Sequence, residues 1–255
     1  MSLLGDVSIM AQSRLDLRLV QAGLVATRSR ARDLILRGFV SVDGVACDKP
    51  SQTLADDALI ALSTNAPQYV SRGAEKLVAA LDQFGFEARG AAALDIGAST
   101  GGFTEVLLAR NARWVYAVDV GQQQLHDKLR NDVRVISLEQ QDARTLSRDL
   151  VPDPITAVVA DVSFISLTKV LAPALALTAP GAWLVALIKP QFEVGPDSVA
   201  SGGIVRDEAA RDAAVEAVRQ WIAGVNGWRV VGLIPSPILG GSGNTEFLIG
   251  ARCDG

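Results

Sequence analysis

Lys189 interrupts the apolar stretch LVALIKPQFE immediately before a proline, and a charge in such a place is costly unless it is paired or used. Three other ionisable residues have comparable settings: Asp161 in VVADVSF, Glu246 in GGSGNTEFL, and Lys76 in SRGAEKL. Each taken singly is the ordinary solvated or capping charge of a protein surface. As a set they are more informative, because a lysine held among carboxylates can take, or stabilise the loss of, the weakly acidic proton of a hydroxyl group.

The stretch LDIGASTGGFTEVLLAR, Leu94 to Arg110, puts a carboxylate at the end of an apolar run, then three glycines in six residues, then a helical pattern. A phosphate-binding loop would need a lysine after the last glycine, and Phe103 and Thr104 stand there instead. A dinucleotide fingerprint would need G-x-G-x-x-G, whereas Gly97, Gly101 and Gly102 give G-x-x-x-G-G, and Asp95 would repel a pyrophosphate. A ligand with a cation and hydroxyls fits better, and S-adenosylmethionine has both. Its methionyl amine suits the loop formed by Asp95, Gly97, Ser99, Thr100, Gly101 and Gly102. Its ribose hydroxyls suit Asp119, which closes WVYAVD, and its adenine amino group suits Asp142 in EQQDARTL. The plainer use of such carboxylates is to end strands and cap helices; three at successive strand ends favour the cofactor.

Among methyl acceptors, an exocyclic amine calls for an Asn/Asp-Pro-Pro-aromatic motif after the fourth strand, where this chain has ADVSFISL. Carbon methylation of a pyrimidine usually needs a cysteine nucleophile, and neither Cys47 nor Cys253 falls at a strand end beside the loop. A hydroxyl acceptor remains, and the lysine and carboxylate set suits it.

The elements that must position these residues follow from periodicity. Helices are expected at 73–84, 102–110, 122–130, 166–178 and 207–223. Strands are expected at 92–96, 114–118, 133–137, 156–160, 182–188, 228–234 and 245–252. This alternation predicts a doubly wound, mainly parallel α/β sheet with ligands at the C-terminal strand ends. Ahead of it, residues 14–22 and 28–37 read as short amphipathic helices ending at Gly23 and Gly38, followed by a hairpin turning at Asp43-Gly44. The expected division is an extension over 1–11, a small α+β domain over 12–62, a linker over 63–70 and the α/β domain over 71–255.

Composition sets limits on partners. The 255 residues carry a net charge of −4, which disfavours nucleic acid on average, yet Arg14, Arg18, Arg28, Arg30, Arg32 and Arg37 face only Asp16 and Asp33 in their segment. A basic face on an acidic chain suggests a placed patch. Two cysteines and one histidine, His126, supply neither a disulfide framework nor a zinc site, so no metal is expected. No apolar run approaches the roughly 20 residues of a membrane span, and no secretory signal opens the chain; the expected compartment is the cytoplasm, without stable membrane association.

YVSRGAEKL, LDIGASTGGFTEVLL, ADVSFISL, LIKPQFEVG, GGIVRD and SPILGGSGNTEFL together resemble the TlyA (hemolysin A) family of ribosomal RNA 2′-O-methyltransferases, over nearly the whole chain from Arg14. The resemblance implies a Rossmann-like class I methyltransferase fold with a seven-stranded sheet, S-adenosylmethionine as cofactor, and cytidine 2′-hydroxyls of ribosomal RNA within one or both subunits as substrate. It also implies that Lys76, Asp161, Lys189 and Glu246 form the Lys-Asp-Lys-Glu tetrad of FtsJ-like enzymes. Lys189 is expected as the base, held by Asp161 and Glu246, with Lys76 orienting the hydroxyl or neutralising phosphate. RLDLRLVQAGLVATRSRARDLILRGFVSVDGV resembles an RNA-binding domain of the ribosomal-protein-S-four type. The chain departs from the family at Ala74, where glycine is usual, and at Asp142, where asparagine is common. Two other classes stand beside this reading: a membrane-acting hemolysin, which the absence of a span opposes, and a non-catalytic ribosome assembly factor, which the intact tetrad opposes.

Overall fold

A computed structural model describes residues 13–25, 27–195 and 198–254, so the expected extension over 1–11 lies outside the described residues. The chain divides into two compact units, the second beginning at Tyr69.

The first unit contains β1 (Ser13–Arg14), α1 (Leu15–Gln21), α2 (Arg28–Leu36), β2 (Val40–Val42), β3 (Val45–Ala46), β4 (Thr53–Leu54) and β5 (Ile60–Leu62). The side chain of Thr27 caps α2 by accepting from the Arg30 amide at 3.2 Å. Asp43 and Gly44 both take positive φ, 50° and 81°, the paired left-handed geometry that a two-residue hairpin requires. Leu15, Leu19, Ala31, Leu34, Ile35, Val40 and Leu54 close a small core. The sequence reading missed β1, β4 and β5, which are two or three residues long and carry no periodicity of their own. Yet β5 completes the sheet β3-β2-β5, and β4 pairs with β1.

The second unit contains α3 (Gly73–Phe84), β6 (Ala92–Ile96), α4 (Gly102–Ala109), β7 (Trp114–Asp119), α5 (Asp127–Arg130), β8 (Val135–Glu139), β9 (Ile155–Ala160), α6 (Leu167–Leu175), β10 (Thr178–Ile188), α7 (Pro190–Glu193), α8 (Glu208–Ala223), β11 (Trp228–Pro235) and β12 (Phe247–Cys253). Its seven strands run in the order β11-β12-β10-β9-β6-β7-β8, parallel from β10 to β8, with β12 antiparallel to both its neighbours. Successive residues of β9 and β10 go to opposite faces. Val158, Leu184 and Ile188 pack with Leu171, Val215 and Val218 of α6 and α8, while Val159, Val185 and Leu187 pack with Leu77, Leu81 and Val106 of α3 and α4. A sheet buried on both faces reads as continuous apolar runs, which is why these strands were visible in the sequence.

The helix expected at 122–130 shrinks to α5. Gln123 has φ 53°, and Glu139 accepts the amides of Gln123, Gln124 and Leu125 at 2.9, 2.8 and 3.1 Å, so these donors serve a turn rather than a helix. Those backbone donors, Leu125 foremost, hold the Glu139 carboxyl below its ordinary range. The strand expected at 133–137 is displaced two residues to β8. After β6 the chain builds β7 and β8 on one side and β9 and β10 on the other, so the order reverses between β6 and β9, where doubly wound sheets bind their ligands.

Candidate active site

Across the C-terminal edge of the sheet stands a row of ionisable residues. Lys189 follows β10, Asp161 follows β9, Asp95 is the penultimate residue of β6, Asp119 ends β7 and Glu139 ends β8. Glu246 joins them from the strand that runs the other way: Ile188 pairs with Phe247, so Lys189 and Glu246 each lie one residue beyond that pair.

The four residues expected as a catalytic set form two ion pairs. Lys189 Nζ lies 2.7 Å from Asp161 Oδ1 and donates to Ser163 Oγ at 2.8 Å. Lys76, buried on α3, donates to Glu246, which is also buried. Glu246 therefore pairs with Lys76 and not with Lys189 as the sequence reading had it, because α3 crosses the end of β12 and brings Lys76 within reach. The start of α3 also approaches the other pair, since a Cβ on Gly73 would lie 3.5 Å from Asp161 Oδ2.

The loop from Gly97 to Gly102 joins β6 to α4 at the reversal point. Gly97 has φ 80°, and a Cβ there would stand 2.5 Å from the Asp161 carbonyl oxygen, so only glycine lets this loop lie against the end of β9. A Cβ on Gly102 would meet Ser71 Oγ at 2.1 Å. Ser99 takes φ 47°, and its amide donates to Asp119 Oδ2 at 2.8 Å, while the Gly121 amide donates to Asp119 Oδ1 at 2.7 Å. The amides of Gly97 and Ala98 both donate to the Val118 carbonyl, and the Thr100 carbonyl accepts from the His126 amide. The loop is thus tied to the end of β7 on one side and to α5 on the other.

Asp95 is fully buried. Thr104 Oγ1 donates to its Oδ2 at 2.6 Å, and its Oδ1 has no hydrogen-bond partner among the described residues. Burial, reinforced by the charges of Asp161 and Asp119, raises its carboxyl to about 7 against the pull of Thr104. Asp142 lies elsewhere in its loop's economy: it caps the short turn Ala143–Thr145 and forms a salt bridge with Arg144 at 2.6 Å, which holds its carboxyl low. An adenine amino group would have to share that carboxylate with Arg144.

These residues fit a cationic, hydroxyl-rich ligand. An orphaned buried carboxylate oxygen at Asp95, a loop pressed flat by glycines, and an acidic row from Asp161 to Glu139 suit an ammonium or a sulfonium and oppose a triphosphate.

Several contributing residues were not singled out by the sequence reading. Asn244 is buried; its Nδ2 donates to the Gly203 carbonyl at 2.7 Å and its Oδ1 accepts from the Val205 amide at 3.0 Å, joining the GGIVRD segment to the loop before Glu246. Glu105 on α4 accepts from the Val70 amide at 2.6 Å and from Lys128. Phe164, 90% exposed with φ 65°, contacts Phe192 with ring centroids 5.0 Å apart. The motifs containing these residues were visible, but nothing in a lone Asn, Glu or Phe says what it will reach.

The arginines of the first unit divide by environment. Asp16, fully buried, takes Arg14 at 3.0 and 3.1 Å and Arg28 at 3.1 Å, and these guanidiniums, Arg14 foremost, hold its carboxyl well below its ordinary range. Arg18 donates to the carbonyls of Ala55 and Asp56 at 3.2 and 3.0 Å. Arg30 is buried against Asp33 and the Pro67 carbonyl, and Arg37 reaches Asp33 at 3.4 Å and lies over the Phe39 ring. Arg32 is exposed with no partner among the described residues. Arg14, Arg28 and Arg32 are thus the guanidiniums presented outward, while Arg30 has a structural occupation.

Comparison with known proteins agrees with this geometry. The model of FtsJ-like methyltransferases matches residues 69–253, and that of the S4 domain matches residues 13–60. The chain is 44% identical to the 16S/23S rRNA (cytidine-2′-O)-methyltransferase TlyA of Mycobacterium tuberculosis over 94% of this chain and 90% of that one. It is 43% identical to Hemolysin A of Brachyspira hyodysenteriae, over 92% and 98% of the two chains. A solved structure from Streptococcus thermophilus, described as a hemolysin, superposes with a TM-score of 0.75 at 40% identity and covers 96% of this chain and 89% of its own. With two strand-end ion pairs beside a glycine loop and relatives alike over almost their full length, the chain belongs to the TlyA family of FtsJ-like methyltransferases.

Proposed function

We propose that the protein transfers a methyl group from S-adenosylmethionine to the ribose 2′-hydroxyl of a cytidine in ribosomal RNA. The observation that carries this reading is the Lys189 ammonium at the open edge of the sheet, ion-paired with Asp161 beside the glycine loop, with the Lys76–Glu246 pair buried behind it. The names of the curated relatives support the substrate class.

S-adenosylmethionine supplies, when bound, a methyl carbon on a sulfonium: an O–C bond forms as the C–S bond breaks, and that bond's electron pair returns to sulfur. The chain's residues do the rest. Asp95, with its spare oxygen, and the loop from Gly97 to Gly102 would hold the methionyl and adenosyl parts, with Asp119 toward the ribose. Lys189, in its neutral form, takes the proton of the attacking hydroxyl, and Asp161 stabilises the ammonium that results. The buried Lys76–Glu246 pair fixes α3 against β12 and so keeps the two strand ends in register. Most of the acceleration comes from holding the hydroxyl in line, since a well-oriented intramolecular reaction gains about 7 to 11 kcal/mol. Arg14, Arg28 and Arg32 meet phosphates of the RNA.

Incubation with tritiated S-adenosylmethionine and separate unmodified small and large ribosomal subunits tests the reading. Label mapped to a cytidine 2′-oxygen and lost in Lys189→Ala supports it. Cofactor binding by calorimetry without label on either subunit would overturn the substrate, and no cofactor binding would overturn the activity.

A further inference from the structure

The Lys189 ammonium has three N–H donors, and the structure gives one of them a hydrogen bond, to Ser163 Oγ at 2.8 Å. A second side of the nitrogen is taken by its ion-pair partner Asp161, whose Oδ1 lies 2.7 Å away without accepting a hydrogen bond. The geometry points to Ser163 as a positioning residue for methyl transfer: with Asp161 it aims the third direction of the Lys189 amine at the substrate hydroxyl. This inference rests on the methyl transfer proposed above.

Two features favour Ser163 for the task. The first is the rigidity of the turn that carries it. Phe164, the next residue, is held at φ 65°, a conformation that costs a non-glycine residue of order 1 kcal/mol and persists only where the surroundings impose it. The restraints come from the element that follows Lys189. Glu193 Oε1 accepts the Leu167 amide at 2.9 Å, so the segment after Ser163 is fastened to α7 where α6 begins, and the largely exposed Phe164 ring touches Phe192 of the same helix. A serine anchored in this way can direct a flexible lysine, whose ammonium otherwise rotates freely on a four-carbon stem.

The second feature is chemical. A neutral lysine amine keeps two N–H donors and a single lone pair, and a hydroxyl oxygen accepts an N–H from the amine as it does from the ammonium. Ser163 can therefore stay bonded to Lys189 through its change of protonation, which leaves the lone pair for the 2′-hydroxyl whose proton the amine takes.

Ser163→Ala and Ser163→Thr test this together with Lys189. Loss of a hydrogen bond to a charged group is worth about tenfold or more, so Ser163→Ala should lower kcat at least tenfold, with KM for RNA and cofactor within about twofold of the parent. Ser163→Thr, which keeps the hydroxyl, should restore most of kcat. A raised KM for RNA at unchanged kcat would overturn the proposal in favour of an RNA contact, and failure of Ser163→Thr to restore activity would overturn it in favour of a packing role. Nitrogen-15 spectra of the lysine ammonium groups provide a readout independent of the substrate. The Lys189 resonance, assigned by Lys189→Arg, should show slowed proton exchange in the parent and lose it in Ser163→Ala. The same exchange in both proteins would refute the pairing, whatever the transfer assay shows. Absence of transfer by the parent with the pairing intact would instead count against the function.

Discussion

Lys189 and Glu246 lie side by side just past the last pair of β10 and β12, yet each turns to a different partner, Lys189 to Asp161 and Glu246 to Lys76. One pair faces the open edge and the other is closed over by α3, so four residues of similar chemistry suit two different tasks.

Removing one partner of each pair should separate those tasks. Glu246→Ala leaves a buried ammonium without compensation and should cost about 3 to 5 kcal/mol of stability. Lys189→Ala removes a partly exposed pair, with a stability effect of about 1 kcal/mol or less. Thermal denaturation should show a large drop in Tm for the first and little for the second, while both abolish methyl transfer. Equal melting of the two variants would show that the pairs are equivalent.

Asp95 should make stability depend on pH in an uncommon direction for a carboxylate. Its folded-state value, raised to about 7, means that the folded chain keeps a proton which the unfolded chain releases near pH 4. Its contribution is therefore fully favourable below about pH 4 and is lost as pH rises toward 7, by up to about 4 kcal/mol in all. Asp95→Asn should flatten this part of the denaturation profile and bind S-adenosylmethionine more weakly above pH 7, where the parent presents a negative charge to a cationic ligand. Denaturant titrations at pH 5 and 8, paired with calorimetry, measure both effects.

Gly97→Ala should disable the cofactor loop. The added methyl would meet the Asp161 carbonyl at 2.5 Å from a left-handed backbone, so either the loop or the end of β9 must move. We expect a destabilisation of about 1 to 3 kcal/mol and loss of cofactor binding beyond what stability explains. Gly181→Ala, at φ 82° but with nothing within 4 Å, separates backbone strain from the clash.

Arg32 and Arg30, two residues apart on α2, should behave oppositely. Arg32→Ala should weaken RNA binding with no change in Tm and reduce the salt slope of binding by about 1. Arg30→Ala should lower Tm through loss of its bonds to Asp33 and the Pro67 carbonyl. Filter binding over a range of salt concentrations, together with melting curves, distinguishes the two.

The sequence showed the large sheet because strands buried on both faces are apolar throughout, and it showed the site because charges such as Asp161 and Lys189 are conspicuous where such runs stop. It showed less where the outcome depends on what comes near in space. The turn around Gln123 is imposed by Glu139 from a neighbouring strand. The partner of Glu246 is chosen by where α3 crosses β12. The α2 pattern gives no sign that Arg30 folds inward while Arg32 faces out. Ser163 and Asn244 belong to residue types that mostly hydrogen-bond to water, and only the fold shows which polar side chain has been given a distant partner.

The amide of Asn244 holds the backbone of Gly203 and Val205, some forty positions earlier in the chain. Two loops that look independent in the sequence therefore share one length specification. An insertion or deletion in either would leave the buried amide facing nothing, so transplanting one of these loops from a related enzyme should succeed only when its counterpart travels with it.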